Sequence, residues 1–440
     1  MKRVFMVSLG CPKARVDSEV MLAQLQNASY GLSKTPRGAD AIVINTCSFL
    51  QASTQESIDT ILEMADYKSK GKCKCLVVTG CLPARYGDEL GPELPEVDAF
   101  LTLAEEERLV EVLDAHLGVR TRTHASVDVA FAPRVRTTRG GSAYLKIAEG
   151  CNRHCSFCTI PAIRGPQRSR SIDSLLQESR QLVTMGAKEL VLIAQDLTAY
   201  GTDVGNKNAL VQLIDALEGI DGLHWIRLMY AYPWNLSEAL IERLGAGRKL
   251  LPYLDMPLQH VSERVLRDMR RSVSREEQVN LLRALRSVPD LVLRSTFITG
   301  FPGETEAEFE ELCDWLQEVQ FDRVGVFAYS PEPGTAAAAR EDQIPEEIRE
   351  ARRDRLMTLQ QGIHEQRLRR LLGRELEVLV EGASAQHPLV MEGRYYGQAP
   401  EVDGVVYLSF DESDAEVAPG DLVQVRIDEV REYDLMGEVQ

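Results

Sequence analysis

Residues 148–165 read "AEGCNRHCSFCTIPAIRG", and within them Cys151, Cys155 and Cys158 form a C-x3-C-x2-C pattern. A loop this tight brings three thiolates within reach of one metal centre. Iron–sulfur clusters are held by such thiolates, usually four of them. Three ligands therefore leave one iron free to bind something else, much as a catalytic metal keeps an open position. The competing reading is a zinc site of Cys3His type with His154 as fourth ligand. His154 directly precedes Cys155, which places its side chain badly for the same ion.

Working outward, the loop follows an apolar strand at 143–148, and strands at 190–194, 224–230, 251–256, 292–298 and 323–328 come after it. Helical segments separate them at 172–185, 209–217, 236–244, 263–286 (split) and 304–320, and a long charged helix spans 345–372. Six βα units fall short of a complete eight-stranded barrel, so the pattern predicts a partial, open (β/α)6 barrel over 142–372. The loops after strands two to five read "QDLTAYG", "AYPWN", "PLQH" and "TGFPGE". Active sites of βα barrels form at these carboxyl-terminal strand ends. "TGFPGE" reads equally as a tight strand-to-helix turn or as glycines permitting close approach of a ligand.

Residues 1–117 show a second alternation, with strands at 3–9, 41–46, 75–79 and 99–101 and helices at 17–26, 54–67 and 105–116. This predicts an open parallel α/β sheet. The apolar run ending at Gly10 lies at the bottom of signal-core length; followed by this alternation, it reads as a first strand. Cys11, Cys47 and Cys81 each follow one strand, at gaps of 36 and 34 residues, about one strand-helix-strand unit each. All three are thus expected at one edge of one sheet, where ligands of open α/β sheets bind. A second three-thiolate cluster is the economical reading. Cys73, Cys75 and Cys313 lack this pattern and read as structural.

Residues 118–141 lapse into Arg, Thr, Pro and Gly, as a linker does. Beyond 373 short β-type runs at 376–380, 389–396, 405–410 and 422–430 suggest a small antiparallel barrel over 373–440. The chain's nine cysteines are odd in number and unevenly placed, which argues for metal or catalytic use in a reducing, cytoplasmic setting. No run of eighteen apolar residues appears, so no membrane span is expected.

The three-Cys loop with Phe157 before its last Cys resembles the radical S-adenosylmethionine (SAM) enzymes. Preceded by a three-Cys domain and followed by a TRAM-like barrel, the chain resembles their methylthiotransferase family. "SLGCPKARVDSE" (8–19), "GCNRHCSFCTIPAIRGPQRSR" (150–170) and "TGFPGETE" (299–306) are most similar to its branch acting on a ribosomal protein. Ala14 departs from that pattern, which carries Asn there. The resemblance implies that Cys151, Cys155 and Cys158 hold a [4Fe-4S] cluster whose open iron takes SAM. It implies a second [4Fe-4S] cluster on Cys11, Cys47 and Cys81 that carries the sulfur to be inserted. Phe157, Gln195, Gln259, Arg294, Gly300 and Glu304 are the candidates to line the SAM site. The implied substrate is the β-carbon of an aspartate in small-subunit ribosomal protein twelve, alone or within the subunit, and the implied electron donor is a protein such as flavodoxin. An unactivated C–H bond offers no acid or base handle, so a cofactor must open it.

Related family members modify an adenosine in transfer RNA. Charge speaks against that here. Residues 373–440 hold 4 Arg or Lys against 16 Asp or Glu, in a chain of net charge −17. Phosphate neutralisation dominates RNA affinity, and an acidic module suits a basic protein partner better. A contrary stretch, residues 134–170, holds 8 Arg or Lys and one Glu, but it surrounds the cysteine loop. Balancing a cluster and the SAM carboxylate accounts for it. A non-catalytic iron–sulfur protein is the remaining alternative.

Overall fold

The computed structural model describes residues 1–119, 133–246, 248–410 and 417–440, so most of the expected linker lies outside the described residues. The chain forms two compact units. One comprises Met1–Thr137, Ala148–His154 and Cys158–Arg168; the other comprises Thr138–Ile147, Cys155–Phe157 and Ser169–Gln440.

In the first unit, β1 (Arg3–Ser8), β2 (Gly31–Leu32), β3 (Ala41–Thr46), β4 (Cys75–Gly80) and β5 (Ala99–Leu101) form a parallel sheet in the order β2-β1-β3-β4-β5. Parallel strands covered on both faces must be almost wholly apolar, and every residue of β3 and β4 is buried. Val43 and Val77 pack one face against Val20, Met21, Leu109 and Leu113. Ile42, Ile44, Leu76 and Val78 pack the other against Ile61 and Met64. The first helix runs Pro12–Asn27, five residues earlier than expected, because Cys11 caps it in extended conformation and Pro12 opens it. Lys13 and Arg15 break the apolar stripe over the missed residues, though Lys13 is buried.

In the second unit, β6 (Ser142–Lys146) begins a sheet. Two short strands, β7 (Ala148–Glu149) and β8 (Arg168–Ser169), pair on either side of the cysteine loop, and all of them but Ser169 are counted in the first unit. The main sheet continues with β9 (Glu189–Ile193), β10 (Trp225–Leu228), β11 (Leu250–Asp255), β12 (Val292–Thr299) and β13 (Arg323–Ala328). Its order is β13-β12-β11-β10-β9-β6, parallel throughout and open between β6 and β13. This is the expected partial barrel.

The unit ends in a closed five-stranded barrel: β14 (Glu375–Ala383), β15 (Met391–Tyr395), β16 (Val406–Ser409), β17 (Leu422–Arg431) and β18 (Asp434–Val439). It is not wholly antiparallel, as β16 and β18 pair in parallel. An odd number of strands cannot alternate direction around a closed ring, so one parallel pair is obligatory. The barrel docks on the amino-terminal ends of the central strands. Glu189, at the start of β9, accepts hydrogen bonds from Arg227 Nε (2.6 Å) and from Arg394 Nη2 of the barrel (2.6 Å). Tyr253 Oη donates to Asp403 at 2.8 Å. Among the described residues, no helix is long and apolar enough to cross a membrane.

Candidate functional site

The first unit gathers its three cysteines by backbone geometry. Ser8 of β1 is level with Asn45 of β3, and Thr46 of β3 with Gly80 of β4, so the three strand ends coincide. Gly10 has a φ of +90°, and an added Cβ would stand 2.8 Å from Cys47 Cβ and 3.2 Å from Cys47 Sγ. Gly80, at φ +96°, would meet Asn45 Oδ1 at 2.3 Å and Thr46 O at 2.7 Å. Only glycine fits either place, and the two let the Cys11 and Cys81 segments fold onto the end of β3. Ser57 Oγ fixes the third segment by donating to Cys47 O at 2.7 Å.

Burial pushes the Cys47 thiol up and Cys81 up to about 12. Cys11 adds to the rise at both, and Cys47 adds to it at Cys81, which places the three sulfurs within electrostatic reach of one another. Such thiols stay protonated at neutral pH until a metal centre displaces the protons. The donor set fits a thiolate-held cluster.

Arg164, six residues beyond Cys158, belongs to the same unit and is fully enclosed. Nη1 donates to Glu149 Oε1 at 2.9 Å and Asp17 Oδ2 at 3.1 Å, and Nη2 lies 3.7 Å from Cys81 Sγ. Burial opposes its charge, but Glu149 and Asp17 outweigh burial and hold the guanidinium firmly protonated. Its neighbour Gly165 accepts a hydrogen bond from Cys151 N at 3.1 Å. One short segment therefore supports both cysteine sets. In the sequence Arg164 is one cation of a basic stretch, and no pattern in "TIPAIRG" distinguishes it from its neighbours.

The second unit holds the middle of the cysteine loop. Ser156 N donates to Met269 O (3.1 Å), Ser156 Oγ to Asp268 O (2.7 Å), and Ala337 N to Ser156 O (2.8 Å). Arg271, also missed from the sequence, is buried; Nη2 donates to Pro257 O at 2.7 Å and Nη1 lies 3.8 Å from Cys155 Sγ. A guanidinium thus reaches a sulfur in each set. Among the described residues, no three His, Cys, Asp or Glu side chains close to the spacing of one metal ion, and His154 is exposed. A cluster binds its thiolates at separate irons.

The six SAM candidates separate. Gln259 follows β11 at φ +75°, pinned to β12 by its N–H to Thr296 O and by Ile298 N to its carbonyl, each 2.8 Å. Its Oε1 is buried without a hydrogen-bond partner, the mark of a group awaiting a ligand. Gln195 lies two residues past β9, half-buried. Phe157 packs beside Val265, Met269, Phe301 and Tyr329 in an apolar cluster. Glu304 spends its carboxylate on the turn itself, with Oε2 accepting from Gly300 N at 2.9 Å and Oε1 from Arg352 Nη1 at 2.8 Å. An added Cβ at Gly300 would stand 2.2 Å from Arg349 Cγ, so its freedom serves helix packing. Both residues of "TGFPGE" are engaged by the turn and the helix beside it. Arg294 is not brought to this edge. It stands near the start of β12, bonded to Asp255 (2.8 Å) and facing Asp403 of the barrel (3.6 Å).

Comparison with known proteins places these features in a family. Residues 3–102 match the model of Uncharacterized protein family UPF0004, 145–316 the Radical SAM superfamily, and 372–439 the TRAM domain. A radical SAM methyltransferase from Kitasatospora setae, TsrM, solved with cobalamin and a [4Fe-4S] cluster, shares the fold. It superposes with a TM-score of 0.55 at 14% identity, over 77% of this chain and 74% of that one. Ribosomal protein uS12 methylthiotransferase RimO of Symbiobacterium thermophilum is 49% identical over 99% of this chain and 90% of its own. The protein of that name from Anaeromyxobacter sp. (strain Fw109-5) is 47% identical over 99% and 93%. The chain belongs to the RimO family of radical SAM methylthiotransferases.

Proposed function

We propose that this enzyme methylthiolates the β-carbon of an aspartate in ribosomal protein uS12. The observation that carries the reading is the convergence of Cys11, Cys47 and Cys81 at one sheet edge of a chain that also holds the C-x3-C-x2-C loop. C–H opening alone would need one set of cysteines; sulfur insertion accounts for the second. When bound, two [4Fe-4S] clusters and SAM supply the radical, the sulfur and the methyl group.

The protein's own residues supply the setting. Cys151, Cys155 and Cys158 hold one cluster and Cys11, Cys47 and Cys81 the other, with Arg271 and Arg164 offering N–H groups to a sulfur of each set. Hydrogen bonds to cluster sulfurs tune reduction potential. The Gln259 amide offers its unpartnered oxygen to SAM, and Phe157 with its apolar neighbours excludes water from that side. A cytoplasmic setting suits nine free thiols, and a flavodoxin-like protein is the donor we infer.

The test is to incubate the reduced, reconstituted enzyme and SAM with uS12 or with transfer RNA, and to weigh both. A mass gain of one methylthio group on uS12 is expected. An adduct on transfer RNA alone overturns the proposal, and absence of deoxyadenosine would return the chain to a non-catalytic iron–sulfur protein.

A further inference from the structure

The second unit contains a cavity of about 330 Å³ in which five arginines and only two aspartates meet: Arg286, Arg323, Arg367, Arg370 and Arg374 with Asp290 and Asp322. In a chain of net charge −17 this is a reversal of sign. It lies at the start of β12 and β13, on the face where the barrel docks. Gly300 marks the other end of β12, roughly 20–25 Å away at strand rise.

Its inner wall is committed. Asp322 accepts from Arg286 Nη1 at 3.0 Å and Arg367 Nε at 2.7 Å. Arg323 Nη2 donates to Gly397 O at 3.3 Å and Nη1 meets His364 Nε2 at 3.0 Å. His364 Nδ1 donates to Asp322 O, so Nε2 is the acceptor and the ring is neutral; burial and Arg323 hold it down at about 4. Its outer wall is uncommitted. Arg370 and Arg374 are exposed and make no side-chain hydrogen bond or ion pair with a described residue. Burial lowers Arg286, and the charges of Arg367 and Arg370 lower it further, so Asp322 does not discharge the group. Tyr396 presents an aromatic ring beside them.

Free guanidinium forks over a cationic, partly apolar hollow match phosphate oxygens. We propose that this cavity is a phosphate-binding site and that its ligand is the backbone of an RNA chain. The inference rests on uS12 as substrate: a ribosomal protein inside a subunit is surrounded by RNA, and this cationic cavity stands beside a barrel whose 373–440 stretch carries 4 Arg or Lys against 16 Asp or Glu. An acidic electron donor fits worse, since it would dock at the end of the sheet away from the cysteine loop.

Anisotropy of a labelled single-stranded RNA oligonucleotide, titrated with holoenzyme at several salt concentrations, tests it. Wild type is expected to bind, and R370E/R374E to bind at least tenfold more weakly. The log–log salt slope should become shallower by roughly 1.4, because two phosphates of a single strand are no longer neutralised. R180E/K207E changes charge equally at two exposed residues on the segments flanking β9, three strands from β12 in the sheet, and is expected to stay within about twofold of wild type. Methylthiolation of free uS12 should survive in both variants. If it fails in wild type as well, the functional reading is at fault and the RNA site is judged by binding alone. R370Q/R374Q, with its unfolding midpoint, separates loss of the phosphate grip from a damaged fold. No RNA binding by wild type, an equal loss in R180E/K207E, or binding of adenosine monophosphate without RNA overturns the proposal.

Discussion

Replacing Arg164 by Met should loosen the first unit more than any other single change near the cysteines. The guanidinium joins Asp17 and Glu149, whose side chains are 3% and 9% exposed. Removing it strands two carboxylates away from water, and breaking a buried pair in this way costs about 3–5 kcal/mol. At 1.4 kcal/mol per factor of ten, amide exchange in β3 and β4 should accelerate by about two to three and a half orders of magnitude where it follows opening of this unit. Hydrogen-exchange mass spectrometry on peptides covering 41–46 and 75–80 reads this directly. All three tryptophans, Trp225, Trp234 and Trp315, lie in the second unit, so their fluorescence should barely change. The triple variant D17N/E149Q/R164M removes the stranded charges and should recover at least about 2 kcal/mol. Exchange within about threefold of wild type in R164M, or a triple variant no better than the single, would refute the argument.

Three further outcomes follow from the site and the docked barrel. Cys11→Ala should lower iron content by about half, leaving SAM cleavage detectable and methylthiolation absent; unchanged iron returns Cys11 to a spare thiol. Gln259→Ala should weaken SAM binding about tenfold with iron content unchanged, since its amide oxygen is buried and unpartnered; equal SAM affinity by calorimetry removes Gln259 from the site. Burial would raise Glu189, but Arg227 and Arg394 outweigh it and bring it down to about 2. A depressed carboxyl stabilises fully above its unfolded value of about 4.3 and loses that contribution as pH falls toward the folded one. Barrel docking, followed by limited proteolysis near 373, should therefore hold to about pH 4 and fail toward pH 2. Glu189→Gln should expose that site already at pH 7.

The strands were legible because parallel strands buried on both faces must be apolar throughout. "AIVINT" of β3 could hardly be anything else, and the cysteines at the ends of β1, β3 and β4 then declared the site. Elements whose identity depends on partners were not legible. β2 is two residues of edge strand, and "DLMGEV" of β18 has no alternation until β16 and β17 flank it. Nor was it legible that the first helix buries Asp17 and Glu19. Those residues are buried only because Arg164 answers the first, and Arg134 and Thr137 the second. Among the SAM candidates, position at a strand end was readable, but side-chain commitment was not. Glu304 and Gly300 look free in the sequence and are spoken for by Arg352 and Arg349. Arg294 was misplaced because its partner, Asp403, is more than a hundred residues away.

The two cysteine sets differ in what must exist before they can be filled. Cys151, Cys155 and Cys158 lie within eight residues, so their spacing survives in an unfolded chain. Cys11, Cys47 and Cys81 become neighbours only after β1, β3 and β4 have paired in register. Closing those two crossovers costs chain entropy that the sheet, not the metal, must supply. Cofactor loading therefore has a built-in order: the local set can mature during synthesis, and the dispersed set reports that the first unit has folded. On the proposed ligands, a chain in which β1, β3 and β4 have not yet paired would hold the local set alone, able to split SAM and unable to deliver sulfur.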